Sequence, residues 1–173
     1  MKTIITLLLL STALPIYEAD FVTHAVVPVK EITVAAAPKP ADPALCLAKN
    51  IYFEAGGESY GGKLGVGQVT INRSKSGQFP RSICGVVYQS VHKFNKKICQ
   101  FSWACEHHSN IVFNSKAWRD SLAVSRKMLA GKLAEEQLKT GKALYFHNGT
   151  ILPQWAASKT LIASIDNHTF YSN

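Results

Sequence analysis

The sequence predicts a single α+β domain that is mainly helical and carries a small antiparallel sheet near its carboxyl end. Three stretches between Pro43 and Gly131 place apolar residues at helical spacing. Short segments rich in β-forming residues follow at 143–147, 161–165 and 168–171. The 173 residues are 47% apolar and 17% charged, which is enough apolar surface for one core and excludes a disordered polyelectrolyte.

The first predicted helix begins at Asp42-Pro43 and ends at Gly56-Gly57. An Asp can cap free N–H groups, and a Pro at the first helical position lacks the donor that would go unsatisfied there. A pair of glycines favours a helix end. The apolar stripe of this helix consists of Leu45, Ala48, Ile51, Tyr52 and Ala55.

The middle of the chain predicts further helices and one hairpin. Residues 60–76 keep helical spacing despite several β-branched side chains, and 83–90 form a short apolar piece. Polar residues around Asn95 indicate a hairpin between 91 and 105. One side of this segment is predicted to carry Cys99, Phe101 and Trp103. The other side is predicted to carry Gln100 and Ser102. Ser115 caps a last helix that ends at Gly131 and is mostly core, through Trp118, Leu122, Ser125 and Leu129.

The amino-terminal residues predict export. Residues 1–19 combine a positive start, an aliphatic run from Ile4 to Leu10 and small residues after it, a pattern typical of a secretory signal peptide. Cleavage after Ala13 and cleavage after Ala19 both remain open. The aliphatic run is shorter than the roughly 20 residues of a spanning helix, so no permanent membrane span is expected. Residues 20–43, rich in Ala, Val and Pro, predict a semi-stiff linker before a domain at 44–173.

The chain has a formal net charge of +8, and the charge belongs to the predicted domain. Residues 44–173 contain 16 Lys and Arg against 7 Asp and Glu, which gives +9. This balance favours a polyanionic partner, either nucleic acid or an anionic cell wall polymer, although solubility alone also accounts for it. Nucleic acid is disfavoured because no basic cluster extends beyond Lys96-Lys97 and because the chain is expected to be exported.

The four cysteines predict two disulfides, since an even number in an exported chain is typical of a disulfide framework. Of the three connectivities, we favour Cys46 with Cys84 and Cys99 with Cys105, because short loops cost least entropy to close. The alternative is a zinc site built from Cys99, Cys105, His107 and His108. Its spacing does not match that of structural zinc sites, so no metal is expected.

Glu54 falls in the last turn of the first predicted helix. The carboxyl end of a helix carries partial negative charge and disfavours another negative group. Burial beside Tyr52 and Phe53 would act in the same direction, so the pKa of Glu54 should rise. A carboxyl that stays protonated near neutral pH can serve as a general acid. The alternative is an ordinary surface glutamate at a helix end.

Several runs in one order resemble the spore-cortex-lytic and cell wall hydrolase family over about residues 45–172. They are residues 46–58, 67–73, 79–80, 83–89, 99–103, 143–148 and 165–171. The resemblance implies a lysozyme-like, lytic transglycosylase-like fold and a peptidoglycan-degrading enzyme without a cofactor, in the periplasm or cell wall. It would cut between N-acetylmuramic acid and N-acetylglucosamine, leave a 1,6-anhydro sugar and use Glu54 as catalytic acid. This chain departs from the family at Gly56, where Arg is frequent, and at Asp166, where Gly is frequent.

A second catalytic carboxylate is missing from the neighbourhood of Glu54. Glu58 is the nearest candidate, but Gly56-Gly57 is expected to turn the chain away, so a structural role such as pairing with Arg73 is favoured. A mechanism with one acid fits this shortage. Glu54 would protonate the leaving oxygen, the substrate's N-acetyl group would support the anomeric carbon, and Glu54 would then take a proton from the C6 hydroxyl.

Substrate binding is expected from aromatic, amide and other polar side chains that can meet sugar faces and acetamido groups. The candidates are Glu58, Gln100, Ser102, Trp103, Tyr145, Asn167 and His168. Core packing is an equal alternative for Trp103 and Tyr145, as is hydrogen bonding within the fold for His168. The expected partner is the peptidoglycan glycan strand, and the expected state is a monomer.

Two other functions remain as alternatives. A zinc-dependent N-acetylmuramoyl-L-alanine amidase would need several histidines around one metal, but their spacing supports no such site. A non-catalytic wall-binding protein would require Glu54 to be fully solvated with an ordinary pKa. Whether the gene is cellular or encodes a phage endolysin also stays open.

Overall fold

The structure is a computed structural model that describes residues 41–106, 115–133, 138–150 and 152–173. The predicted signal peptide lies outside the described residues, as does the predicted linker up to residue 40. His107 and His108 of the alternative zinc site lie outside them as well.

The helices of the described residues begin at side-chain caps. They are α1 (Pro43–Ala55), α2 (Tyr60–Lys75), α3 (Ile83–Val87) and α4 (Lys116–Leu129). At the start of α1, the Asp42 carboxylate accepts a hydrogen bond of 2.8 Å from the N–H of Ala44. Ser59, Ser82 and Ser115 cap the other three helices in the same way. The predicted helices at 43–55, 60–76 and 115–129 are confirmed.

The helical core forms where α1 packs against α2, α3 and α4. Leu47, Ile51, Val66 and Val86 are fully buried there. On α4 the predicted stripe is partly wrong, because Leu129 is 38% exposed while Val124 and Met128 are buried. The predicted Trp118 and Ser125 are buried, as is Ser121. The small serines allow α1 to approach closely, and the Ser125 hydroxyl donates to the Ala44 carbonyl at 2.7 Å.

A three-stranded antiparallel sheet closes the domain, which confirms the predicted sheet. Its strands are β3 (Tyr145–Asn148), β4 (Thr160–Ile165) and β5 (His168–Ser172), in the order β3-β5-β4. Phe170 of the central strand is fully buried against α2. A Cβ at Gly65 would lie 2.5 Å from the Phe170 ring, so this close contact between helix and sheet requires glycine.

A separate hairpin consists of β1 (Ser90–Lys93) and β2 (Lys96–Cys99). The hairpin was predicted, but its strands end earlier than expected, at Cys99. Residues 102–104 form a short 3-10 helix instead, because the Cys99–Cys105 disulfide turns the chain back on itself. The predicted division of these side chains between two sides is nevertheless observed, since Phe101 and Trp103 are buried while Gln100 and Ser102 are exposed.

Both disulfides have the predicted connectivity, Cys46–Cys84 and Cys99–Cys105. The alternative zinc site is therefore wrong, because the two sulfurs it needs are bonded to each other. In the described parts of the chain, no helix has the length and apolar character needed to cross a membrane.

Candidate active site

A large open cleft lies between the helices and the sheet, with a cavity volume of about 1160 Å³. The carboxyl ends of α1 and α2 form one wall, and the end of β3 and the start of β5 form the other. The segment that follows β2 closes one side. The side chains that line it include Phe53, Glu54, Glu58, Arg73, Gln100, Ser102, Trp103, Asp166, Asn167 and His168.

Glu54 lines this cleft from the last turn of α1, one residue before the helix ends. Its side chain is partly buried, and burial raises its pKa from 4.5 to about 7. The positive charge of Arg73 acts in the opposite direction but is outweighed. The expected rise in pKa is therefore confirmed, with desolvation as its main cause.

Arg73 is held beneath the cleft by α2 and is 4% exposed. Its Nε donates to the Leu144 carbonyl at 2.7 Å, and its guanidinium carbon lies 5.0 and 5.4 Å from the ring centres of Phe79 and Phe101. Burial lowers the pKa of Arg73 to about 10, while Tyr145 and, to a smaller extent, Glu54 raise it, so the side chain stays cationic at neutral pH.

The predicted pairing of Glu58 with Arg73 is wrong. The Glu58 carboxylate faces the β4–β5 turn, where Oε1 accepts from Asn167 Nδ2 at 3.0 Å and Oε2 accepts from the Asn167 backbone N–H at 3.4 Å. Arg73 lies on the buried face of α2 and has Glu54 as a charge partner instead. Its role near Glu54 was missed, although the spacing of Val66, Val69 and Arg73 already places it on the buried side.

Asp166 ties the same turn to the amino end of α2. Its Oδ2 accepts from the Ser59 N–H at 2.9 Å, and hydrogen bonds from Ser59 hold its pKa below the usual value. The residue has a φ of +51°, a conformation that explains why glycine is suited to this position. A Cβ at Gly62 would lie 2.5 Å from Asp166 Oδ2, so α2 also needs a glycine where the turn approaches it.

Most of the predicted binding residues come together around Glu54. Gln100, Ser102, Asn167 and His168 line the cleft together with Trp103. His168 is 4% exposed, and burial lowers its pKa.

Trp103 lines the cleft and also packs into the core. Its ring stacks on Phe53 with centres 4.6 Å apart, and its Nε1 donates to Asn50 Oδ1 at 3.2 Å.

Tyr145 is placed elsewhere. It does not line the cleft but packs against Phe79 and Trp155, with centre distances of 6.4 and 5.8 Å. Its hydroxyl donates to Asn173 Oδ1 at 3.2 Å. The end of β3, from Phe146 to Thr150, lines the cleft instead. Sequence reasoning did not single out these residues, since which strand end faces α1 depends on the sheet order.

The described residues contain no group of three or more His, Cys, Asp or Glu side chains placed to hold a metal ion. Carboxyl, amide, hydroxyl, guanidinium and imidazole groups line the described cleft.

Comparison with known proteins gives matches to one family and to one kind of structure. The model of the family described as Cell Wall Hydrolase matches residues 57–171, a range that begins just after Glu54. The catalytic domain of the germination-specific lytic transglycosylase SleB from Bacillus anthracis has 24% identity, covers 79% of this chain and all of its own, and gives a TM-score of 0.57. The catalytic domain of Bacillus cereus SleB has 23% identity to this chain. The match covers 80% of this chain and 100% of that domain, with a TM-score of 0.53. These structural matches establish a shared fold. The search of curated proteins found no match.

Proposed function

The chain belongs to the cell wall hydrolase family, and on that basis we propose that it degrades peptidoglycan by cleaving the bond between N-acetylmuramic acid and N-acetylglucosamine. The observation that carries the proposal is a partly buried carboxyl, Glu54, with a pKa of about 7 in the wall of a large cleft. The shared fold with two SleB catalytic domains, one of them titled a lytic transglycosylase, supports it.

The size of the cleft favours a polymeric substrate. Its volume of about 1160 Å³ exceeds the roughly 300–1,000 Å³ of typical small-molecule sites. It is open along its length, and amide and hydroxyl groups from Gln100, Ser102 and Asn167 line it. Such groups can hydrogen-bond sugar hydroxyls and acetamido groups, while the Trp103 and Phe53 rings offer apolar faces.

The reaction we propose uses Glu54 twice. In its neutral form Glu54 gives a proton to the glycosidic oxygen, which leaves as a hydroxyl as its bond to the anomeric carbon breaks. The acetamido oxygen of the muramic sugar supports that carbon. The Glu54 carboxylate then removes the proton of the C6 hydroxyl as the C6 oxygen bonds to the anomeric carbon, so a 1,6-anhydro sugar forms without water and Glu54 is again protonated.

The other carboxylates in the described cleft favour a single-acid mechanism. Both oxygens of Glu58 accept hydrogen bonds from Asn167, and Asp166 accepts one from Ser59. Each carboxylate is thus engaged in holding the β4–β5 turn. Burial raises the pKa of Glu54 to about 7, which is the property that an acid at neutral pH requires.

Arg73 is proposed to balance the two forms of Glu54. Burial alone would hold the carboxyl neutral, which suits proton donation but hinders the later removal of the C6 proton. The cationic guanidinium lowers the pKa of Glu54, so both protonation states are accessible near pH 7.

Two disulfides are typical of a protein that acts outside the cytoplasm. We propose the periplasm or cell wall as its location, with residues 1–19 as the export signal. The net charge of the predicted domain suits encounter with an anionic wall, and we propose that it acts there as a monomer.

Digestion of purified peptidoglycan tests the proposal, with products identified by mass spectrometry. The wild type should release anhydromuramic ends, and Glu54→Gln should lose at least about 100-fold in rate, the range expected for removing a general acid. Glu58→Gln is the matched control and should keep most of the activity. Reducing muramic ends would show hydrolysis instead, freed stem peptides would show an amidase, and equal loss in both variants would contradict the single-acid mechanism.

A further inference from the structure

The β1–β2 hairpin carries a set of exposed apolar side chains. Phe94, at its turn, exposes 87% of its surface, more than any other large apolar side chain in the described residues. Val91 and Ile98 expose 57% and 48%. Burying such side chains is favourable, so their exposure together marks a surface for contact with an apolar medium.

The strand register places these side chains together with lysines. Val91 pairs with Ile98, and Lys93 pairs with Lys96. Since residues two apart on a strand share a face, both pairs lie on one face of the hairpin, next to Phe94 at the turn. We call these five residues the hairpin face. From the base of the hairpin to its turn, this face presents an apolar pair, a cationic pair and an aromatic side chain.

The charge on the hairpin is unbalanced. Lys93 lies opposite Lys96, and Lys97 adds a further positive charge on the other face. Like charges directly opposite each other destabilise a pair of strands. No acidic residue occurs anywhere from Ser82 to Cys105. A negatively charged partner would therefore remove a repulsion that the hairpin does not neutralise within its own segment.

The hairpin is held in place although its strands are almost entirely exposed. A two-stranded hairpin alone is marginally stable in water. Here the Cys99–Cys105 disulfide fixes the end of β2, and the Gln100 N–H donates to the Gln89 carbonyl at 2.8 Å across the base. These two restraints join the base of the hairpin to the rest of the domain, which lowers the entropy cost of ordering the hairpin on binding.

We propose that the hairpin face docks the protein on the surface of an anionic lipid membrane. Phe94, Val91 and Ile98 would enter the boundary between headgroups and acyl chains, and the lysines would lie among the anionic headgroups. An anionic wall polymer would satisfy the lysines, but it offers no apolar medium in which Val91 and Ile98 could be buried. The lipid surface satisfies both requirements, and this contact is peripheral.

Co-sedimentation of the purified full chain with lipid vesicles tests the proposal. Vesicles of phosphatidylcholine containing about a quarter phosphatidylglycerol should bind the protein, pure phosphatidylcholine should bind it weakly, and about 1 M salt should release it. Phe94→Ser should lower the partition coefficient about tenfold or more, against little change for Leu152→Ser, which replaces another highly exposed side chain.

The charge requirement is tested by a matched pair of double variants. Lys93→Gln with Lys96→Gln should reduce vesicle binding about 25-fold, since each lysine near an anionic surface contributes about fivefold. Lys75→Gln with Lys142→Gln removes the same charge from exposed positions outside the hairpin and should change binding less than about threefold. Equal loss in both double variants would overturn the proposal in favour of general attraction by net charge.

Two further measurements separate this proposal from the enzymatic one. The hairpin variants should cleave soluble peptidoglycan fragments at the wild-type rate, and Glu54→Gln should bind vesicles like the wild type. If the hairpin variants bind vesicles normally but lose binding to purified lipid-free sacculi, the hairpin face contacts the wall polymer and the membrane proposal is wrong.

Discussion

Replacing the buried acid Glu54 by Gln should make the protein more stable at high pH. The pKa of Glu54 rises from 4.5 to about 7 on folding, so the folded state holds the proton more tightly than the unfolded state. The resulting stabilisation is fully present below the unfolded pKa and is lost as the pH rises through the folded pKa. Above pH 7, folding must bury a charged carboxylate.

The size of this effect follows from the shift. Each pKa unit corresponds to about 1.4 kcal/mol, which sets an upper limit of about 3 kcal/mol for the complete change. Partial solvent contact of Glu54 reduces this limit. We therefore expect the free energy of unfolding of Glu54→Gln, measured relative to the wild type, to rise by about 2 kcal/mol between pH 5 and pH 8.

Urea unfolding with intact disulfides measures the difference at each pH, and Glu106→Gln provides the control because it removes an exposed carboxylate. The gain for Glu54→Gln should grow with pH, while the control should show little growth. An equal gain at pH 5 and pH 8, or no gain at either, would refute the reasoning, because Glu54 would then titrate alike in the folded and unfolded states.

Three further outcomes are expected. The wild-type kcat/KM for peptidoglycan should fall as the pH rises above about 7, since Glu54 must begin the reaction protonated; a rate that stays level to pH 9 in a dye-release assay would contradict this. Asp166→Ala should unfold about 2 kcal/mol more easily and cleave several-fold more slowly, because the bond to Ser59 is lost and Ala is disfavoured at the positive φ, whereas Asp166→Asn should keep more of both; equal losses would show that the acceptor does not matter. Replacing Cys46 and Cys84 by Ala should cost about 4 kcal/mol in thermal unfolding, as expected for a closed loop of 38 residues, and an unchanged Tm would rule this out.

Local signals in the sequence were sufficient to predict most of the fold. The caps at Asp42 and Ser115 and the glycines after α1 act within one turn of a helix, so they can be identified without the tertiary structure. The boundary of the hairpin was harder to predict. Alternation continues past Cys99 and favours a longer strand, but a disulfide between Cys99 and Cys105 requires the chain to turn back within six residues. The alternating pattern taken alone therefore gave the wrong boundary, although the predicted disulfide already indicated the turn.

Part of the site was also predictable from local signals in the sequence. Glu54 stands out because its place at a helix end beside aromatic residues is visible in the sequence and predicts a raised pKa, and burial is the cause that the structure shows. The partner of Glu58 was not predictable, because Asn167 is more than 100 residues away and reaches it only through the antiparallel turn. Tyr145 and the end of β3 depend on the order of strands in the sheet, which their own residues do not determine.

The central claim is that Glu54 carries a proton at neutral pH, and nuclear magnetic resonance can observe that proton's release directly. A titration of protein labelled with ¹³C at the glutamate side-chain carboxyl carbons should show one resonance with a midpoint near pH 7 that is missing from Glu54→Gln. A Glu54 resonance that titrates near 4.5 would contradict the account.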